Sequence, residues 1–83
     1  MRTTITVVGV GQRKAGTSKK TNRAYDMTEF SVEYEHQQFK GVKAETIAIP
    51  AETIGTRNIV PGDVLEVEMF QMNFKTYIGC IYG

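Results

Sequence analysis

The chain has 83 residues, a formal net charge of +1 and one cysteine. A chain of this length forms one domain, so residues 1–83 are treated as a single unit. One cysteine excludes an intramolecular disulfide, and no apolar run reaches membrane-spanning length. The first residues alternate at once, without the apolar block of a signal peptide. We therefore expect a cytoplasmic protein with no membrane partner.

The charge is unevenly distributed along the chain. Residues 11–23 contain five cations and no acid, so the remaining residues sum to −4, which is 1 minus 5. The five cations are Arg13, Lys14, Lys19, Lys20 and Arg23. A basic patch on a mildly acidic body draws a polyanion to one face of a protein. The alternative is a solvated loop that only keeps the end of a strand soluble.

The first half of the chain predicts two strands joined by this basic segment. The first strand spans 3–10, and 11–23 follows as a long mobile loop of turn-forming residues. A loop of that length is unusual without a function. The second strand spans 24–35, and its apolar positions change phase near Thr28 and Glu29. This change predicts a β-bulge with a sharp bend in the second strand.

The second half predicts three more strands. The third spans 39–49 and ends at Pro50, and one helical turn is expected within 51–58, with Gly55 near its C-cap. The fourth spans 64–74, with a second bulge or twist near Met69 and Phe70. A tight hairpin at 73–76 leads to the fifth strand, 76–82. The pattern predicts an all-β, five-stranded Greek-key barrel with a long basic first arm and at most one short helix, between strands three and four.

The sequence contains no set of residues for catalysis. Its acids mostly alternate along predicted strands, as on an ordinary solvent face. His36 is the single histidine, so the sequence shows no histidine and cysteine spacing typical of a metal site. Cys80 lies in an apolar strand and is expected to be a buried structural thiol. We therefore expect no enzyme, no metal, no cofactor and no small-molecule substrate.

A cationic loop that leads into a strand with aromatic residues is typical of nucleic-acid binding. The cations meet phosphates, and the aromatic faces stack unpaired bases. Phe70 and Met72 are assigned to the core or to a dimer contact instead. The expected nucleic-acid-binding residues are Arg13, Lys14, Lys19, Lys20, Arg23, Tyr25, Phe39, Lys43, Phe74 and Tyr77.

Residues 21–29 resemble a short motif of the single-stranded DNA-binding proteins of filamentous bacteriophages. Asn22 stands where that family has a glycine, Arg23 keeps the cation, Ala24 replaces a proline and Tyr25 is retained. The chain length, the five predicted strands and the basic arm are also similar. The specific motif covers about five residues, while the general pattern covers most of the chain.

The resemblance implies an OB-fold-like barrel that forms a two-fold homodimer and coats single-stranded DNA cooperatively during viral DNA replication in the host cytoplasm. It implies that Arg23, with Arg13 or Lys14, contacts phosphate and that Tyr25 stacks a base. It also implies that Phe74 or Tyr77 acts at the DNA or at the dimer contact. Only the resemblance favours DNA over RNA.

The alternative function belongs to a different class. A small β-barrel interaction or assembly subunit would use the same basic loop to dock an acidic partner. Replacing Tyr25 by alanine distinguishes the two functions. The change weakens binding strongly if bases stack on the ring, and has little effect if the loop docks through charge alone.

Overall fold

The structure is a computed structural model that describes residues 1–36 and 40–83. Its strands form one antiparallel sheet in the order β3-β2-β1-β4-β5. The prediction of a mostly β chain with one short helix between strands three and four is confirmed. The elements are β1 (Arg2–Thr17), β2 (Ala24–Glu35), β3 (Val42–Pro50), α1 (Ala51–Ile54), β4 (Val64–Met72) and β5 (Lys75–Ile81).

One hydrophobic core fills the inner face of this sheet. Alternate residues of each strand point inward, as the period of two requires, and most of the inward residues are β-branched or large. Full burial of such a side chain contributes roughly 1.5–3 kcal/mol. The buried residues are Ile5, Val7, Phe30, Val32, Tyr34, Ile47, Ile49, Ile59, Leu65, Val67, Met69, Ile78 and Ile81.

The sheet is strongly curled but open. In a flat sheet the outer strands β3 and β5 would lie about 19 Å apart, four spacings of roughly 4.8 Å. In this structure Cα atoms of β3 and β5 approach within 8 Å of each other. The two strands are not hydrogen-bonded neighbours in the sheet. The sheet therefore wraps around its core and leaves a seam between β3 and β5, so the predicted closed barrel is not seen.

The predicted loop 11–23 is mostly strand, which corrects the sequence analysis. β1 continues to Thr17, and residues 13–17 pair with residues 24–28 of β2. Only residues 18–23 form the turn. The sequence did not indicate a strand here because this two-stranded ribbon has no buried face. Its residues are polar and basic, so no apolar and polar residues alternate along it.

The bulge predicted in β2 is wrong, because the extra residues belong to β1. β2 keeps one continuous register with β3, whereas its register with β1 shifts between Val7 and Gly9 and again between Val10 and Arg13. At the second shift Gly11 lies so close that an added Cβ would be 2.9 Å from the backbone oxygen of Glu29. The apparent change of phase in β2 arises from apolar residues on the outer face of one regular strand.

The second predicted irregularity is present next to its expected place. The β4–β5 register shifts between Glu68 and Met69, and the extra residue, Gly79, belongs to β5. Because of this insertion, Ile78 and Ile81 are both buried although they are three residues apart. Cys80 between them is exposed, so the prediction of a buried thiol is wrong.

The connections after β3 and β4 follow the predicted turn chemistry. α1 is one turn that starts after Pro50, and the amide of Gly55 (φ 64°) closes it by donating to the Ala51 oxygen. Asn73 and Phe74 form a two-residue hairpin in which both residues have positive φ, as in a type I′ turn. Among the described residues, no helix is long and apolar enough to cross a membrane.

Candidate nucleic-acid interface

The strand pair at the far end of β1 and β2 stands clear of the core. We call residues 13–28, the paired segments with their turn, the basic ribbon. None of its side chains is buried, and all of residues 19–25 are exposed. Its order therefore depends on the backbone ladder and on contacts between the two strands rather than on apolar burial. Such a ribbon holds its charges at a fixed distance from the body of the protein.

Three of the predicted cations lie at the tip of the ribbon. The turn is closed by the Ser18 amide, which donates to the Arg23 oxygen at 2.9 Å, and Asn22 takes a positive φ of 54°. Lys19, Lys20 and Arg23 are exposed, and no carboxylate of the described residues lies within 4.0 Å of their charged nitrogens. These three charges are directed at solvent and are accessible to an anion.

The other two predicted cations of the segment are bound to carboxylates of the facing strand. Arg13 Nε donates to Asp26 Oδ1 at 2.7 Å, and its second nitrogen contacts Asp26 Oδ2. This guanidinium lowers the pKa of Asp26 below its usual value. Lys14 Nζ donates to Glu29 Oε1 at 2.7 Å, and the contact raises the pKa of the ammonium. Although residues 11–23 contain no acid, the fold places two carboxylates of β2 beside two of their cations.

The ribbon has two faces, and the predicted residues are divided between them. Residues directly opposite in an antiparallel pair share a face. The pairs Gly16–Tyr25 and Lys14–Met27 therefore lie on one face, and Arg13 lies on the other. Sequence analysis placed Arg13 and Tyr25 in one site, but the register separates them.

Tyr25 packs across the strand that faces it. A Cβ built at Gly16 would lie 3.0 Å from Tyr25 Oη and 3.2 Å from its Cζ, so the phenol ring covers this glycine. The ring remains 42% exposed. An aromatic ring laid over a glycine of the next strand is held in place from one side, and the exposed part is available to a flat ligand.

An open groove of about 710 Å³ runs along the outer surface at the seam between β3 and β5. A second depression of about 500 Å³ adjoins it, shares Met27 and Pro50, and contains Tyr25. We call the two together the aromatic groove. The larger part is lined by Met27, Glu29, Glu45, Thr46, Ile47, Ala48, Pro50, Thr53, Phe70, Phe74, Lys75, Thr76, Tyr77, Ile78 and Gly79.

Phe74 is the most exposed aromatic side chain among the described residues. It occupies the second turn position of the β4–β5 hairpin with φ of 64°, and its relative exposure is 108%. A large side chain at positive φ is uncommon, and such strain costs on the order of 1–3 kcal/mol. Since Phe74 neither relieves strain nor fills the core, stability does not explain this residue.

Phe70 and Tyr77 form a second aromatic surface beside this hairpin. Their rings stack with centroids 5.6 Å apart and an interplanar angle of 19°. Phe70 lies over Gly79, where an added Cβ would be 3.2 Å from the ring. Phe70 is 44% exposed, so it is not a core residue, and the dimer contact offered as the alternative stays a prediction. The groove therefore contains three aromatic residues from β4, β5 and their turn.

The larger part of the groove contains two carboxylates, Glu29 and Glu45, and both have hydrogen-bond donors. Glu29 accepts from Lys14, and Glu45 accepts from Tyr34 Oη at 2.6 Å. Burial and this hydrogen bond raise the pKa of Tyr34 to about 12. Lys75 adds an exposed cation next to Phe74. The larger part is therefore mainly apolar and aromatic, with a lysine at the hairpin end. The smaller part, next to the basic ribbon, adds Glu52 and Asp26, and Asp26 is bound to Arg13.

The structure brings only part of the predicted set together. Tyr25, Phe74 and Tyr77 line the groove. Lys43 does not: it pairs with Tyr34 at the opposite end of β2, and its Nζ lies 4.0 Å from Glu45. Phe39 lies outside the described residues.

Most lining residues were not in the predicted set, and the apolar, aromatic or cationic ones among them include Met27, Phe70 and Lys75. For Phe70, the regular alternation of Leu65, Val67 and Met69 was the available signal. It places position 70 on the outer face of β4.

No protein-family model, curated protein or solved structure matches this chain.

Proposed function

We propose that this chain is a sequence-tolerant single-stranded DNA-binding protein. The basic ribbon contacts phosphates, and the aromatic groove stacks bases. The observation that carries the proposal is Phe74, an aromatic ring held at positive φ and fully exposed at the mouth of a groove that continues to Tyr25. A strained, exposed aromatic that stabilises nothing in the fold is expected where a ring must meet a ligand.

The phosphate contacts come from the ribbon tip. Lys19, Lys20 and Arg23 have no carboxylate partner within the described part of the chain, so they release counterions when a phosphate binds. These contacts carry no sequence information, because every nucleotide has the same backbone. Binding is therefore salt-dependent and tolerant of sequence.

Stacking selects single strands. Each base stacked on an aromatic side chain adds roughly 1–3 kcal/mol, and it must be unpaired to do so. Tyr25, Phe74 and the Phe70–Tyr77 pair offer such surfaces along one groove. A duplex keeps its bases inside the stack and gains only the phosphate contacts.

We further propose that the curled sheet is an open OB-like barrel with its seam between β3 and β5. OB-folds bind oligonucleotides on the face of strands two and three, between the loops that follow strands one and four. Here the ribbon turn and the Asn73–Phe74 hairpin are those two loops, and the groove lies against β2 and β3. The connectivity and the location of the groove support this fold.

The resemblance of residues 21–29 to the filamentous bacteriophage proteins supports DNA as the ligand. On that basis we propose that the protein forms a homodimer and coats single-stranded replication intermediates in a host cytoplasm. Met72, which lies outside the groove lining and is 54% exposed, supplies apolar surface for a second copy. Sedimentation at increasing protein concentration tests the dimer.

Fluorescence anisotropy with labelled oligo-dT tests the proposed function. At low salt we expect tight binding that weakens at moderate salt and that a duplex of equal length does not compete away. Binding that duplex removes as well as single strands would contradict the stacking part of the proposal. Absence of binding at low salt would favour the protein-interaction function, with the ribbon docking an acidic partner.

A further inference from the structure

In the free protein, two carboxylates on β2 form hydrogen-bonded ion pairs with two of the five ribbon cations. We infer that Asp26 and Glu29 are internal competitors of phosphate, which limit how many cations a single strand can contact and so set the affinity and its salt dependence. This inference rests on the proposed function and adds a regulatory element to the same site.

The Arg13 contact shows why the competition is direct. Its guanidinium meets the Asp26 carboxylate through two nitrogens, Nε at 2.7 Å from Oδ1 and the terminal nitrogen at Oδ2. The same fork of donors is the one that binds a phosphate through two oxygens. A phosphate that uses this fork must displace Asp26, so the gain on binding is the difference between two similar contacts.

The Lys14 contact lies on the face of the ribbon that carries Tyr25. Lys14 is directly opposite Met27, and its partner Glu29 lines the aromatic groove. A strand whose bases stack in the groove would pass this carboxylate. Glu29 therefore acts in two ways, because it holds the nearest cation and it repels a passing phosphate.

These pairs contribute little to the stability of the fold. The side chains of Arg13 and Lys14 are 69% and 58% exposed, and those of Asp26 and Glu29 are 32% and 39% exposed. Exposed ion pairs of this kind contribute little to stability, and many contribute nothing measurable. Neutralising the two carboxylates should therefore leave the ribbon folded, so an effect on binding can be measured separately.

The charge balance gives a number to test. Five cations less two carboxylates leave +3 on residues 13–29. Each cation that meets a phosphate of a single strand steepens the plot of log K against log salt by about 0.7. Three contacts predict a slope of about −2, and five predict about −3.5.

The experiment compares Asp26→Asn/Glu29→Gln with the unmodified protein in anisotropy titrations against labelled oligo-dT over a range of salt. We expect the slope to steepen by about 0.7 through Lys14, which lies on the Tyr25 face, and by about 1.4 where the strand also reaches Arg13 on the other face. The affinity at 0.1 M salt should rise about fivefold or more. The matched control is Glu33→Gln/Glu35→Gln, which changes the net charge equally at the other end of β2, where Glu33 faces Thr6. The control should keep the unmodified slope.

Two results would overturn the inference while the proposed function stands. One is an unchanged slope in Asp26→Asn/Glu29→Gln. The other is weaker binding, which would mean that the carboxylates position Arg13 and Lys14 for phosphate. Absence of oligo-dT binding by the unmodified protein would instead overturn the proposed function itself, so the two failures are distinguishable.

Discussion

At the scale of single residues, Phe74 shows a conflict between stability and proposed function. Its position in a type I′ turn favours glycine, and an Asn-Gly pair is the preferred sequence for such a hairpin. The chain instead has Asn73 followed by an exposed aromatic at φ of 64°. A residue that costs stability at a turn is expected to be kept for another purpose.

Phe74→Gly separates the two effects. We expect the variant to be more stable by about 1 kcal/mol, because glycine removes the positive-φ strain. We also expect its affinity for oligo-dT to fall roughly 5- to 150-fold, from the loss of 1–3 kcal/mol of stacking. Thermal unfolding and anisotropy measure the two changes. The control is Val42→Ala, which changes an exposed apolar residue outside the groove lining and should keep the affinity. Unchanged binding by Phe74→Gly would show that the ring does not contact the DNA.

The tip lysines should appear in the salt dependence. Lys19→Ala/Lys20→Ala removes two cations that have no described carboxylate partner, so the slope should become shallower by about 1.4. Lys40→Ala/Lys43→Ala is a control of equal charge change at the start of β3, and it should leave the slope unaltered. Equal slopes for the tip variant and the unmodified protein would exclude the ribbon tip from the interface. A change in the control would return Lys43 to the site.

At the scale of elements, the ribbon depends on two glycines with different roles, one just before it and one within it. Gly11 lies at the register shift, where an added Cβ would meet the backbone oxygen of Glu29 at 2.9 Å. Gly16 lies beneath the Tyr25 ring, where a Cβ would meet the phenol oxygen at 3.0 Å. The backbone oxygen of Glu29 cannot move to accommodate an added Cβ, whereas the phenol end of the Tyr25 side chain can.

Gly11→Ala should therefore reduce the stability of the ribbon, whereas Gly16→Ala should reduce the affinity for DNA. In Gly11→Ala, we expect the ribbon to lose roughly 1–2 kcal/mol of local stability, with faster exchange of its backbone amides. In Gly16→Ala, amide protection should persist while oligo-dT affinity falls, because the Tyr25 ring is displaced. Hydrogen exchange and anisotropy on both variants check this; faster ribbon exchange in Gly16→Ala than in Gly11→Ala would contradict the assigned roles.

At the scale of the whole molecule, Tyr34 connects the core to β3. It is 3% exposed and donates to Glu45, and its pKa is raised to about 12. The folded state therefore holds this proton more tightly than the unfolded chain, whose tyrosine pKa is about 10. This contribution to stability is complete below pH 10 and is lost as the pH rises towards 12.

We expect the free energy of unfolding to fall by on the order of 2 kcal/mol between pH 10 and 12 through Tyr34 alone. Denaturant unfolding at a series of alkaline pH values measures the total. The same series on Tyr34→Phe should show a smaller fall, since phenylalanine does not titrate. Parallel curves for the two proteins would show that Tyr34 does not control the alkaline loss.

The fold could largely be predicted from the sequence because the core strands follow a simple period. The bounds of β2, the turn after Pro50 and the hairpin at Asn73 follow from alternation and turn chemistry. The strand in residues 11–17 could not be predicted, because a ribbon without a buried side has no apolar alternation. The exposure of Cys80 could not be predicted either. It follows from the insertion of Gly79 in β5, and no local pattern in the sequence indicates that insertion.

The candidate site could be predicted only in part, because sequence proximity does not determine which face a residue occupies. Tyr25 directly follows the charged segment that contains Arg13, but the register places the two residues on opposite faces. Phe70 and Lys75 join the groove through the curl of the sheet, which brings β5 next to β3. Tertiary geometry of this kind is not encoded in composition or spacing.

We propose that one single strand contacts both the basic ribbon and the aromatic groove. The most direct test is to titrate the ¹⁵N-labelled protein with oligo-dT and to measure the NMR chemical shift of each backbone amide during the titration. We expect the shifts to change most at residues 18–25 and 73–77 and to stay the same at Glu33, Glu35 and Lys43. Shifts confined to the ribbon would contradict base stacking in the groove, and shifts confined to the other end of β2 would contradict the site altogether.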